Sequence, residues 1–100
     1  MYIAMNRFKI VKGKEEIFES IWKNRESHLD KVTGFKKFNL IKGESNEDFT
    51  LYASHSTWES EDTFTNWTKS DSFRKAHKNA GQHKGVYIGH PVFEGFTVVI

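Results

Sequence analysis

The chain has 100 residues, with 15 Lys or Arg against 13 Asp or Glu, so its formal charge is only +2. This small surplus, without any run of five like charges, gives no support to nucleic-acid binding. The absence of Cys excludes disulfides, thiolate catalysis and cysteine-bound metal. A chain of this length is expected to form one domain over residues 1–100.

The apolar segments are all short. The longest runs hold a few residues, whereas a membrane-spanning helix requires roughly 20. An alternating pattern already begins at Tyr2, where a signal peptide would carry its charged and apolar regions. We therefore expect a soluble, cytoplasmic protein with no membrane partner.

Alternation with a period of two predicts the strands. They are expected at residues 2–10, 35–41, 49–57 and 92–100, with a polar turn at 42–48. In the first strand, Tyr2, Ala4, Asn6, Phe8 and Ile10 share one face, and Ile3, Met5, Arg7 and Lys9 share the other.

Spacings of three and four predict the helices. Residues 14–31 form an amphipathic helix with an apolar stripe of Ile17, Phe18, Ile21, Trp22 and Leu29. Ser60 is the expected N-cap of a short helix that carries Phe64 and Trp67. Ser70 or Ser72 is the expected N-cap of a further helix, which ends at Gly81. This helix carries Phe73, Ala76, His77 and Ala80.

The element order is therefore β-α-β-β-α-β with a split second helix, an α+β fold of the ferredoxin-like type. Helices cover one face of such a sheet and leave the other bare. We expect a second copy to bury that bare face, with Ile3 and Met5, in a homodimer that forms a dimeric α/β barrel.

Three residues are candidates for chemistry. Asn6 is a polar side chain in mid-strand, on an apolar face. His77 shares a helix face with Phe73 and small Ala residues, which leave space beside its imidazole. Trp67 lies one turn beyond Phe64 on the preceding helix. Taken alone, each is more typical of a structural role. Asn6 would be a core Asn bonded to a neighbouring backbone group or a solvent-facing one, His77 a half-buried His bonded to a carbonyl, and Trp67 a core Trp.

Together these residues resemble a known family. The motifs are Met5-Asn6-Arg7 in the first strand, Trp58-Glu-Ser60, Phe64-x-x-Trp67-x-x-Ser70 and Phe73-x-x-Ala76-His77. They resemble the antibiotic-biosynthesis-monooxygenase superfamily and, within it, the IsdG-type haem-degrading monooxygenases. The joint presence of Asn6, Trp67 and His77 carries this resemblance, because many cofactor-free members share the fold without that triad.

The resemblance implies that haem is both substrate and cofactor, and that O2 and an external reductase supply oxygen and electrons. His77 would be the axial ligand of the haem iron, with Asn6 donating from its amide on the opposite side of the ring and Trp67 distorting the macrocycle. It also implies that Trp22 walls the pocket and Arg25 approaches a propionate; an ordinary core Trp and a solvated Arg are the alternatives.

Other functions stay open at this point. A cofactor-independent monooxygenase acting on a quinol or polyketide-like aromatic explains the fold but not His77. A haem carrier or sensor explains His77 but not Asn6 or Trp67, and a dimeric structural module explains none of them. The resemblance leaves open the tetrapyrrole product, the leaving carbon, the reductase and the physiological role. The loop 81–90 departs from the better-known members, and we expect it to cover the haem edge.

Overall fold

The computed structural model describes residues 1–25, 29–71, 73–74 and 85–100. Within them lie the strands β1 (Tyr2–Val11), β2 (Phe35–Ser45), β3 (Phe49–Trp58) and β4 (Val92–Thr97) and the helices α1 (Glu15–Lys23) and α2 (Glu61–Thr68). The strands form one antiparallel sheet in the order β2-β3-β1-β4. This architecture confirms the predicted ferredoxin-like α+β fold.

The central strand β1 follows its predicted alternation. Tyr2, Ala4, Phe8 and Ile10 are buried, whereas Arg7 and Lys9 on the other face are exposed. On the buried face the apolar residues form two separate clusters, one around Phe8 and Ile10 and the other around Tyr2 and Ala4. Asn6 lies between Ala4 and Phe8 in the strand, and therefore between the two clusters.

The edge strands differ in length from the prediction. β2 continues past residue 41 to Ser45, so the connection to β3 is only residues 46–48. Asn46 closes this tight turn, because its Oδ1 accepts hydrogen bonds from the N–H groups of Asp48 (2.8 Å) and Phe49 (2.9 Å). β4 stops at Thr97 rather than Ile100, because its neighbour β1 begins at Tyr2 and offers no further strand partner.

The first helix is shorter than its apolar spacing predicts. α1 ends at Lys23, and Leu29 belongs to a separate 3-10 turn, Leu29–Lys31. Ile17 was expected in the buried stripe, yet it is 47% exposed. The adjacent Phe18 is fully buried in the core. Because consecutive residues of an α-helix lie about 100° apart around its axis, Ile17 faces outward.

The cap residues lie where the sequence predicts them. Ser60 and Thr63 form a reciprocal capping box at the start of α2. Ser70 caps the following helical turn, since its Oγ accepts a hydrogen bond of 3.2 Å from the N–H of Phe73. The described residues 71, 73 and 74 are helical. Ser72, Ala76, Ala80 and Gly81 lie outside the described residues.

Candidate functional site

A cavity of about 330 Å³ lies between the two apolar clusters. Its size is within the usual range of small-molecule sites, roughly 300–1,000 Å³. It is lined by Ala4, Asn6, Trp22, Arg25, Leu29, Phe38, Ser54, Ser56, Phe64, Trp67, Phe73 and Phe93. Four of the five site residues predicted from the sequence, Asn6, Trp22, Arg25 and Trp67, therefore meet at one cavity.

Asn6 forms part of the cavity floor. It is half-buried, and its carboxamide makes no hydrogen bond within the described part of the chain. This differs from one of the two structural alternatives, the core Asn whose amide is satisfied by a neighbouring backbone group. The side chain is therefore available to form a hydrogen bond with a ligand in the cavity.

Trp67 forms one aromatic wall. Its indole packs on Trp58 with ring centroids 5.3 Å apart, and it meets the ring of Phe73 edge to face at 4.9 Å and 86°. Phe64 supports it from the same helix at 6.1 Å. Three rings therefore hold the indole in place, which suits a rigid surface for a flat ligand.

Trp22 forms a second aromatic wall. Its indole stacks on Phe38 at 5.6 Å and 17°, and contacts Phe8 and Phe18 on the core side. Among the described residues its Nε1 is buried without a hydrogen-bond partner. Trp22 is thus a fixed wall with an uncommitted donor.

Arg25 brings a positive charge to the rim. Its guanidinium carbon lies 4.1 Å from the centroid of the Trp22 ring, and no carboxylate pairs with it in the part of the chain that the structure describes. Burial lowers the pKa of Arg25, and the Coulombic interaction with Tyr87 opposes that change. Arginine nevertheless stays charged at neutral pH, so the cavity lining includes a half-buried cation that could pair with an anionic group.

His77 lies outside the described residues, so its predicted role as iron ligand stays a prediction. Of the other histidines, His55 lies in β3 and His90 in the segment before β4, and neither lines the cavity. Among the described residues, no three His, Cys, Asp or Glu side chains cluster as a metal-binding group.

The sequence did not single out several residues of the cavity. Ser54 and Ser56 reach it through the pairing of β3 with β1, and Phe38 through the pairing of β2 with β3, which local patterns do not reveal. Phe93 is 49% exposed and stacks on Phe64 at 5.6 Å and 6°, so it marks the cavity mouth. The sequence feature that could have identified Phe93 was an aromatic residue in a predicted strand.

The loop that departs from the better-known family members lies partly within the described residues. Val86 is buried in the cluster around Phe8, and Tyr87 forms an isolated bridge with Ile10. Burial raises the pKa of the Tyr87 phenol, and Arg25 opposes the change. Residues 85–90 do not line the cavity, so the expectation that the loop covers a haem edge finds no support in them.

None of the described helices combines the length and the apolar character that a membrane crossing requires.

Two curated relatives are named as haem-degrading enzymes. A heme-degrading monooxygenase of Halalkalibacterium halodurans is 35% identical over 78 residues, which are 77% of this chain and 66% of that protein, slightly less than two thirds of its length. A staphylobilin-producing heme oxygenase of Staphylococcus saprophyticus is 29% identical over 84 residues, 84% of this chain and 80% of that protein.

Solved structures share the fold across nearly the whole chain. The heme degrader MhuD of Mycobacterium tuberculosis, with two hemes bound in its active site, has a TM-score of 0.76 at 22% identity and covers 100% of this chain and 97% of its own. SnoaB, a cofactor-independent oxygenase of Streptomyces nogalater, has a TM-score of 0.70 at 18% identity, with coverages of 99% and 93%.

The family model for antibiotic biosynthesis monooxygenases matches residues 1–79. These residues include the whole of β1, α1, β2, β3 and α2, and with them every described cavity residue except Phe93. The predicted resemblance is confirmed, and the chain belongs to the antibiotic biosynthesis monooxygenase family.

Proposed function

We propose that the protein is a haem-degrading monooxygenase. It binds haem as its substrate, opens the porphyrin ring with O2 and electrons from an external reductase, and releases iron and a linear tetrapyrrole. The observation that carries the proposal is the combination, at one cavity, of an Asn6 amide and an Arg25 guanidinium that have no partner among the described residues, with aromatic walls at Trp22 and Trp67. The names of the two curated relatives support it.

The residues that line the cavity fit a flat, anionic tetrapyrrole. The indoles of Trp22 and Trp67 offer apolar surfaces for the ring, and Arg25 offers a guanidinium for a propionate. Bound haem would supply the iron at which O2 is reduced. In this proposal His77 would bind the haem iron, and the Asn6 NH2 group would donate a hydrogen bond to negative charge on a ligand oxygen.

A second candidate has support in the fold. SnoaB shares the architecture and works without a cofactor, so a cofactor-independent oxygenation of a flat aromatic substrate is the alternative enzyme function. The apolar walls suit such a substrate as well. Arg25 favours haem, since with a neutral aromatic no anion among the ligand and the described residues would pair with the half-buried guanidinium.

Hemin titration under anaerobic and aerobic conditions tests the proposal. We expect a 1:1 complex with a Soret band, stable without O2, which decays when a reductant and air are both present. Mass spectrometry of the product then identifies a linear tetrapyrrole. A stable Soret band under reductant and air would indicate a carrier, and no band at all would favour the cofactor-independent oxygenase.

We also propose that the active protein is a homodimer that forms the dimeric α/β barrel. The face of the sheet opposite the cavity carries apolar side chains that are exposed to solvent in the described part of the chain. Phe96 is 45% exposed and pairs in register with the partly buried Ile3, while Val92 and Ile41 are exposed on the same face. A second copy of the chain would bury these residues.

A further inference from the structure

Two serines of β3 line the cavity floor, and their hydroxyls differ in what they bond. Ser56 is fully engaged, because its Oγ donates to the carbonyl of Ala4 (3.3 Å) and accepts from Trp58 Nε1 (2.9 Å). Ser54 is buried, at 8% exposure, yet its hydroxyl makes no hydrogen bond within the described part of the chain. Ser56 therefore has a structural role that Ser54 does not share.

Ser54 is the direct cross-strand partner of Asn6 in the β1–β3 register. Such partners have Cβ atoms roughly 4.5–5.5 Å apart on the same face of the sheet. The floor thus places a hydroxyl beside a carboxamide, between aromatic walls, and neither group has a hydrogen-bond partner among the described residues. Two neighbouring polar groups without partners in a cavity are the setting in which one ordered water bonds both.

We propose that Ser54 is a positioning residue for Asn6. Its hydroxyl holds a water that donates to Asn6 Oδ1, and this fixes the carboxamide with its NH2 group directed at the ligand. The orientation matters because the terminal torsion of Asn is roughly two-fold, so the amide can present either its oxygen or its NH2. Only the NH2 end stabilises negative charge on a ligand oxygen. The inference rests on the proposed haem chemistry and deepens it.

The test uses three substitutions that separate hydroxyl from volume. Ser54→Ala removes the hydroxyl, and Ser54→Thr and Ser54→Val form a matched pair of nearly equal size, of which only Thr keeps it. The first readout is the side-chain NH2 signal pair of Asn6 in the 1H–15N spectrum of the haem-free protein, assigned by its loss in Asn6→Asp. We expect Ser54→Ala and Ser54→Val to shift this signal pair in the same direction, and Ser54→Thr to keep it at the wild-type position.

The second readout is the C–O stretching frequency of the ferrous haem complex with CO, which senses a nearby donor. Asn6→Ala, Ser54→Ala and Ser54→Val should shift it in one direction, and Ser54→Thr should not. In Ser54→Ala and Ser54→Val, kcat should decrease by about 2- to 12-fold, the usual range for the loss of one hydrogen bond, while KM stays nearly unchanged.

Two results would overturn the inference. One is an NH2 signal pair of Asn6 that keeps its wild-type position in Ser54→Ala. The other is agreement between Ser54→Thr and Ser54→Val in both readouts, which would show that side-chain volume causes the effect. Failure of hemin to bind the wild-type protein would refute the proposed function instead. The haem-free NMR comparison still decides the role of Ser54 in that case.

Discussion

The guanidinium of Arg25 lies over the indole ring of Trp22, with its central carbon 4.1 Å from the ring centroid. The stacking contact orients the cation and leaves its N–H donors at the cavity rim. No described carboxylate neutralises it, and burial lowers its pKa without removing its charge. The pair thus places a positive charge beside an aromatic wall of the cavity.

Arg25→Leu should weaken hemin binding by about tenfold or more, since hydrogen bonds to charged groups contribute roughly 1.5–3 kcal/mol. The measurement is a hemin titration in parallel with hemin dimethyl ester, whose propionates are neutral. Arg25→Leu should abolish the difference in affinity between hemin and hemin dimethyl ester. Lys36→Gln, which removes an exposed cation of β2, is the control and should preserve that difference. Equal losses for both ligands would contradict a propionate contact.

His77→Ala should abolish the imidazole-ligated haem spectrum and turnover while the fold survives. The reason is the place of His77 in the predicted helix, four residues after Phe73, whose ring lines the cavity. Absorption and resonance Raman spectra of the hemin complex measure the ligation. His55→Ala and His90→Ala are the matched controls, because neither histidine lines the cavity. Normal ligation in His77→Ala would show that another residue binds the iron.

The sequence predicts best where one strand or one helix turn determines the outcome. The alternation of β1 places Asn6 on the buried face, and the hydroxyls of Ser60 and Ser70 cap helical turns as expected. Trp22 and Trp67 were assigned to the site through the family resemblance, and they do line one cavity.

Features that depend on pairing between distant segments were not predicted. Ser54 faces Asn6 only because β1 and β3 pair in one particular register, which the alternation of each strand does not determine. The end of α1 at Lys23 was also missed, because the apolar spacing continues to Leu29 although the backbone leaves the helix. There the Asn24 N–H bonds back to carbonyls of the last turn.

The protein should sediment at micromolar concentration with about twice the 11.7 kDa mass of the chain. Phe96→Lys should shift it toward the monomer, because it places a charge on the bare sheet face. Ile17→Lys is the control: Ile17 is 47% exposed on α1, away from that face, so this variant should keep the wild-type mass. Sedimentation velocity measures all three proteins. A wild-type monomer would contradict the dimer proposal and leave the cavity argument intact.

Gly34→Ala should destabilise the fold more than Gly13→Ala. Both glycines have positive φ, +84° and +88°, so each alanine incurs roughly 1–2 kcal/mol of backbone strain. At Gly34 the new Cβ would also lie 2.5 Å from the side chain of Thr63 in the capping box, whereas at Gly13 nothing lies within 4 Å. Urea unfolding of the two variants measures the difference. Equal losses would show that Thr63 moves aside without cost.

Acid sensitivity should depend on Glu15. The hydrogen bond from Thr50 Oγ1 to its carboxylate (2.7 Å) is the main cause that lowers the pKa of Glu15 below 4.5, and bonds from backbone N–H groups add to it. A carboxyl whose pKa is lower in the folded state stabilises the fold above its unfolded pKa. That contribution is therefore complete above about pH 4.5 and is lost as the pH falls through the folded pKa.

The wild-type protein should consequently lose stability below about pH 4.5 more steeply than Glu15→Gln, which has no carboxyl to protonate. Urea unfolding between pH 3 and pH 7 gives the free energy of unfolding of each protein at each pH. Glu16→Gln is the matched control, because the neighbouring Glu16 is exposed and makes no hydrogen bond through its side chain in the described part of the chain. It should follow the wild-type pH dependence. Parallel curves for wild type and Glu15→Gln would show that the Thr50 contact does not persist in solution.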